Sequence, residues 1–335
     1  MKIQAYAALG PGATLEPFEY EPSPLALEPT QVEVAISHCG VCHTDLHLIN
    51  NDWGITQYPI VPGHEIIGGV TKVGAAVKNL REGQRVGVGW ESGSCGDCEC
   101  CVHGEENLCL AWRGTCTHGY GGYAAAIRVD SRFAVPIPES LASEPAAPLL
   151  CGGITVYSPL AQDVRPSMRV GIIGIGGLGH LAVQYARAFG CEVTAFSTSM
   201  EKEPEARRLG AHHFIDARDG AAMEKTAASY DYLLTTVSAD IDWSVYLNAL
   251  KAKGRLCVVG VPQNDIRLPA FPLIIANRAV RGSAVGSPSQ VREMLDFSAR
   301  NGILPKTECF PMAQVNQALD RVRRNQARYR VVLVN

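Results

Sequence analysis

The segment RVGIIGIGGLGHLAVQYARAFG, Arg169 to Gly190, constrains this chain more than any other. Its apolar run ends in a G-x-G-x-x-G pattern, Gly174, Gly176 and Gly179 with Gly177 and Leu178 between them, and an amphipathic stretch follows at once. A tight turn, the close approach of a pyrophosphate and the packing of helix on strand each require a missing side chain, while a helix N-terminus offers amide donors to phosphate. Between a strand and a helix the pattern predicts a dinucleotide site, with Gly174, Gly176, Gly177, Leu178 and Gly179 as its loop. A Gly-rich turn without a ligand is the alternative reading of the same residues. The sequence beyond keeps the alternation: CEVTAFS, a helical EKEPEARRLG, HHFID, a further helix, YDYLLTTV, a helix from Trp243 to Lys253, and GRLCVVGV. Strands and helices alternating at this spacing make βαβ units and a parallel, doubly wound sheet of the Rossmann type.

The first part of the chain reads differently. QVEVAIS, IIGGVTKVG, QRVGVGW and YAAAIRV are short β segments broken by Gly, Pro and Asn, which predicts an irregular, mostly antiparallel β domain. Past Pro288, QVREMLDFSARNG has helical amphipathicity, and YRVVLVN is a closing strand suited to the first domain's sheet. The expected division is 1–149 with 288–335 in one domain and 150–287 in the other, in keeping with a length of 335 residues. The fold class is α/β, a doubly wound parallel sheet plus a mostly-β domain.

A net charge of −3 argues against nucleic acid or an anionic membrane as the main partner. No stretch approaches the ~18 apolar residues of a membrane span, and the N-terminal residues have no secretory pattern. A soluble, cytoplasmic protein is expected. In a reducing compartment the 12 cysteines are not a disulfide framework, so they should bind metal, react or be buried.

Cys95, Cys98, Cys101 and Cys109 are spaced C-x2-C-x2-C-x7-C, close enough to close an all-cysteine tetrahedral cage in one lobe. Such a cage leaves no open position, so its role is structural. Cys100 is surplus, either a free thiol or a substitute ligand. Cys42 in CGVCHTD, His64 with Glu65 in PGHE, and Cys151 in LLCGG are dispersed. Taken singly, a buried Cys or His of this kind is more often packing than ligand. Two thiolates and an imidazole are nevertheless a ligand set of catalytic zinc that leaves one position open, and a Lewis acid beside a nicotinamide is a complete apparatus for oxidising an alcohol.

An NAD-preferring site places an Asp or Glu at the end of the second strand, about 20 residues past the glycines. Here that place reads Ser197-Thr198-Ser199, with Lys202 a little further on. Hydroxyls and a cation suit a 2′-phosphate that a carboxylate would repel, so NADP(H) is expected. The alternative use of Ser199 is to cap the helix that opens at Met200.

CGVCHTDLH, VPGHE, the four-cysteine lobe, LLCGGITVYSPL, GIGGLGH and Ser-Thr-Ser with Lys202 together resemble the zinc-dependent medium-chain alcohol dehydrogenases, and among them the cinnamyl alcohol dehydrogenase branch of NADPH-dependent aldehyde reductases. The resemblance implies a Rossmann domain plus a GroES-like catalytic domain. It implies catalytic zinc on Cys42, His64 and Cys151, with Glu65 as an alternating or fourth ligand, and structural zinc on Cys95, Cys98, Cys101 and Cys109. It also implies that Thr44 hydrogen-bonds the substrate oxygen and passes its proton through the cofactor ribose to His47, with Asp52 beside it. A turn at Thr44 and Asp45 and a surface position for His47 are the plainer readings. Cofactor contacts are implied from Thr155, Val237 and Ser283-Ala284-Val285. Trp53, Tyr58, Trp90, Trp112 and the residues near Val285 are candidates to line a pocket for medium-sized aliphatic or aromatic aldehydes, with ordinary core packing the alternative use of each. A homodimer joined edge to edge through the Rossmann sheets is the family's usual assembly. Two other readings are a polyol or formaldehyde dehydrogenase of the same fold, which would usually prefer NAD, and a non-catalytic NADPH-binding redox sensor, which should lack a full catalytic zinc set.

Overall fold

The structure, a computed structural model, describes residues 2–335. The chain parts into two compact units, one running to Ile154 and resuming over Gly286–Asn335, the other Thr155–Val285. Both seams differ from the sequence-based 149/150 and 287/288. The reason lies in the Leu149–Gly153 turn, whose Leu149 and Leu150 are buried. Leu150 packs directly over Gly87 and Gly89 of the first unit, so the turn and its Cys151 stay there.

The first unit is built on a seven-stranded sheet. Its order is Thr307–Pro311, Arg330–Val334, Gln31–Val41, Ile66–Val73, Arg85–Val88 and Ala134–Pro136, with Ala126–Asp130 also pairing Gln31–Val41. All pairings are antiparallel except the first, Thr307–Pro311 with Arg330–Val334. Val32, Val34, Ile36, Ile66, Val86, Val331 and Leu333 form its buried core with Tyr123. The last strand returns across the whole chain to set Val331 opposite Val41. Directly after Val41 the backbone turns at Cys42, the N-cap of the His43–Asn50 helix. The Pro288–Asn301 helix starts on a capping box of Ser287 and Gln290 and buries Val291, Met294 and Leu295.

The second unit is a six-stranded, all-parallel sheet. Its order is His213–Asp216, Glu192–Ser197, Arg169–Ile173, Tyr230–Thr235, Leu250–Val258 and Ala279–Gly282, the 3-2-1-4-5-6 order of a dinucleotide-binding sheet. The helix expected to reach Lys253 stops at Ala249. Leu250 pairs with Tyr230 and, across a bulge that holds Lys253 at φ 63°, Arg255 pairs with Tyr232. Strand pairing thus overrides the helical propensity of the Ala-Leu-Lys-Ala-Lys run. No helix among the described residues is long and apolar enough to cross a membrane.

Candidate active site

Three distant stretches bring Cys42, His64, Glu65 and Cys151 together in the first unit, with their ligand atoms all within 4.8 Å of one another. Cys42 follows the Gln31–Val41 strand as a helix N-cap, His64 and Glu65 precede the Ile66–Val73 strand, and Cys151 sits in a π-turn. Cys42 Sγ lies 4.0 Å from Cys151 Sγ, and His64 Nε2 lies 3.3 Å from the same sulfur. A tetrahedral zinc with Zn–S bonds near 2.3 Å needs sulfurs about 3.8 Å apart, so the residues fit the ion.

The side chain that organises this set is Asp45, which the sequence reading treated only as part of a turn. Its fully buried carboxylate accepts from four donors. Oδ1 takes Gly63 N and His64 Nδ1, both at 3.0 Å; Oδ2 takes Cys42 N at 2.8 Å and the Tyr123 hydroxyl at 3.0 Å. Holding the proton on His64 Nδ1 leaves Nε2 with a free lone pair facing the thiols.

Glu65 is fully buried, and burial pushes its carboxyl up to about 7 despite the Arg330 guanidinium bonded to its Oε1. Its Oε2 has no hydrogen-bond partner. It lies over bare Gly40, where a Cβ would come within 1.8 Å of it. An orphaned carboxylate oxygen beside two thiols is a place a cation satisfies. Arg330 was read only as part of a closing strand.

Thr44 and His47 are three residues apart on the His43–Asn50 helix, hence on one face, and both are half-buried. His47 Nδ1 is 2.7 Å from Asp52 Oδ2, and its ring stacks on Trp53 at 5.1 Å. Thr44 is helical rather than in a turn. Trp90 packs edge-on against His64 at 5.4 Å, and Trp112 lies 5.7 Å from Trp90. Tyr58 is half-buried, and its hydroxyl donates to the Ile49 carbonyl at 2.7 Å.

The lobe between the Glu91–Gly93 and Arg113–Gly114 strands gathers Cys95, Cys98, Cys101 and Cys109. Cys95 Sγ stands 3.9 Å from Cys101 Sγ and 3.5 Å from Cys109 Sγ, again the spacing of a tetrahedral zinc. Cys100 lies outside this cluster. Cys116 donates to the Gly63 carbonyl at 3.1 Å.

In the second unit Gly174 adopts φ 89°, and a Cβ there would meet Val237 Cγ1 at 2.4 Å. A Cβ on Gly179 would meet the Gly174 carbonyl at 1.8 Å. Gly176 has nothing within 4 Å of its Cβ position, an open backbone cradle before the Gly179–Ala188 helix that Gly177 and Leu178 lead into. Ser197 closes the second strand with its hydroxyl accepting from Ser199 N at 3.1 Å. Ser199 makes no side-chain cap bond, so the capping alternative is set aside. Lys202 Nζ donates to Ile175 O inside the glycine loop at 2.9 Å, and Thr198 is exposed. Bare backbone, a helix N-terminus, hydroxyls and a lysine fit a phosphorylated dinucleotide. Thr155 opens the unit, 8% exposed, Ser283 N bonds Val258 O at 3.2 Å, and Val285 takes φ 31°.

The profile described as zinc-binding dehydrogenase matches residues 177–300, and that described as alcohol dehydrogenase GroES-like domain matches 28–139. An aldehyde reductase, AdhA, of Synechocystis is 44% identical over 332 residues, covering 99% of this chain and 98% of its own. A cinnamyl alcohol dehydrogenase of Sorghum bicolor superposes with a TM-score of 0.95 at 40% identity, over 100% of this chain and 98% of that one. A CAD of Helicobacter pylori, solved in complex with NADP(H), superposes at 0.91 with 31% identity, over 100% and 98%.

Proposed function

This chain belongs to the zinc-binding alcohol dehydrogenase family, and from that premise we infer that it interconverts primary alcohols and aldehydes with NADP(H), acting on medium-sized aliphatic or aromatic substrates. The observation that carries the reading is the convergence of buried Cys42 and His64, half-buried Cys151 and the orphaned Glu65 oxygen. It is tested by NADPH oxidation with benzaldehyde or cinnamaldehyde. Turnover is expected; none with a zinc-replete protein would refute it.

The chemistry that zinc supplies, when held by Cys42, His64 and Cys151 with Glu65 alongside, is polarisation of a substrate oxygen. The chemistry of the nicotinamide is hydride transfer in either direction. The chain's residues do the rest. Asp45 keeps His64 in the ligating tautomer. Trp90 and Trp112 wall the His64 side with flat apolar surface, which excludes water and suits an aromatic or aliphatic body. The Thr44 hydroxyl, able to accept and donate at once, holds the substrate oxygen and carries its proton. His47, its side chain 31% exposed and oriented by Asp52, exchanges that proton with solvent. Thr44→Val is therefore expected to lower kcat about a hundredfold while zinc content and NADPH binding persist. A near-normal kcat in that variant would remove the relay.

The cofactor is held by Gly174, Gly176, Gly177, Leu178 and Gly179, with Thr155, Val237, Ser283 and Val285 as further contacts and Ser197, Thr198, Ser199 and Lys202 at the 2′-phosphate. Ser197→Asp should shift the NADPH-to-NADH ratio of kcat/KM toward NADH by about a hundredfold, since like charges oppose each other there. An unchanged ratio would remove Ser197 from that pocket. The chain works as a homodimer, a reading supported by the open edge strand Ala279–Gly282 and the exposed Phe271, Ile274 and Ile275 preceding it. Light scattering should return twice the chain mass; the mass of one chain would refute the pairing.

A further inference from the structure

The strand end that lacks an NAD-type carboxylate has one beside it. Ser197 pairs in register with Asp216 on the neighbouring strand, and Ala217 N donates to Ser197 O at 2.9 Å. Paired residues on adjacent strands stand about 5 Å apart with side chains on one face, so Asp216 lies within reach of a phosphate group bound at Ser197. Left bare, it would act much as the acid of an NAD site does. It is not bare. Arg218 Nε donates to Asp216 Oδ1 at 3.1 Å and Nη2 to Oδ2 at 3.0 Å, a side-on pair, while Arg218 N donates to Oδ1 at 3.0 Å. The same pair holds the Asp216 carboxyl below its usual range.

The guanidinium is thereby fixed in plane, and its Nη1 has no hydrogen-bond partner among the described residues. Arg218 also shares a cavity of about 540 Å³ with Thr198, and Met223, Ile241 and Val245 supply apolar lining suited to a purine. The position is thus next to the phosphate-reading hydroxyls and at the wall of a cavity with ample room for an adenine.

We propose that Arg218 is a specificity-determining residue for the 2′-phosphorylated adenosine of the cofactor, masking the Asp216 carboxylate and adding a second cation to Lys202 of the neighbouring turn. The inference rests on the NADP(H) reading above. Its sign is definite: removing Arg218 takes away one attraction and uncovers one repulsion, and the second part should disappear when Asp216 is neutralised too.

The test is calorimetric binding of 2′,5′-ADP and of 5′-AMP to the zinc-loaded full chain, in wild type, Arg218→Gln and Asp216→Asn/Arg218→Gln. Wild type should prefer 2′,5′-ADP. Arg218→Gln should lower that preference about tenfold, and the double variant should recover part of it. Equal 5′-AMP affinity in all three proteins shows that the pocket is intact. An unchanged preference in Arg218→Gln would overturn the proposal, and a double variant no better than the single would overturn the masking of Asp216. A wild type without preference would instead overturn the NADP(H) reading beneath it.

Discussion

Asp45→Asn is expected to lower kcat/KM by about a hundredfold and to strip the catalytic zinc preferentially, leaving the cysteine lobe loaded. The carboxylate accepts from Cys42 N, Gly63 N, His64 Nδ1 and the Tyr123 hydroxyl, and none of these donors has access to water through Asp45, which is 0% exposed. An amide in its place turns two hydrogens toward groups that are themselves donors. Whichever way the amide turns, one pair of donors loses its acceptor: either the imidazole loses the partner that fixes its tautomer, or the Cys42 amide loses the bond that sets its thiol against Cys151. Metal analysis and steady-state kinetics on the variant check this. A kcat/KM within twofold of wild type would mean that the ligands hold their geometry without Asp45.

The second large effect is on stability. Cys109→Ser should empty the lobe and lower the thermal midpoint by about 10 °C, because loss of a structural metal is among the few single changes that cost several kcal/mol. Cys109 is 1% exposed, and the other three cysteines of its cluster occupy one short segment with little apolar packing of its own. Without the ion their thiols would be crowded together and the Glu99–Val102 and Glu106–Leu108 turns would have nothing to close on. The midpoint is read by calorimetry, with zinc content measured on the same sample. A lobe-empty protein that melts with the wild type would contradict a structural role.

What was legible in the sequence was what chemistry writes locally. The glycine loop, the lobe's four cysteines and the alternation of strands with helices are each contained in a short window, and the order of the elements follows the pattern. Cys42, His64 and Cys151 are dispersed, and it was the resemblance carried by CGVCHTDLH, VPGHE and LLCGG, not their spacing, that pointed to them as candidate ligands. Asp45 and Arg330 were not singled out, for a physical reason. An aspartate next to a helix start looks like a turn residue, and its bond to His64 spans 19 positions. Arg330 meets Glu65 across 265 positions, and only the antiparallel return of the last strand brings them together. The helix that ends at Ala249 instead of Lys253 shows the same limit, since the pairing of Leu250 with Tyr230 belongs to the sheet and not to the run of residues.

Metal content measured beside turnover is the most direct test of zinc catalysis at Cys42, His64 and Cys151. The purified chain should hold about two zinc ions, one at Cys42, His64 and Cys151 and one in the four-cysteine lobe, and should reduce cinnamaldehyde with NADPH. Cys151→Ser should hold about one and lose the reaction, with the lobe's ion retained. A Cys151→Ser protein that keeps both ions and still turns over cinnamaldehyde would contradict it.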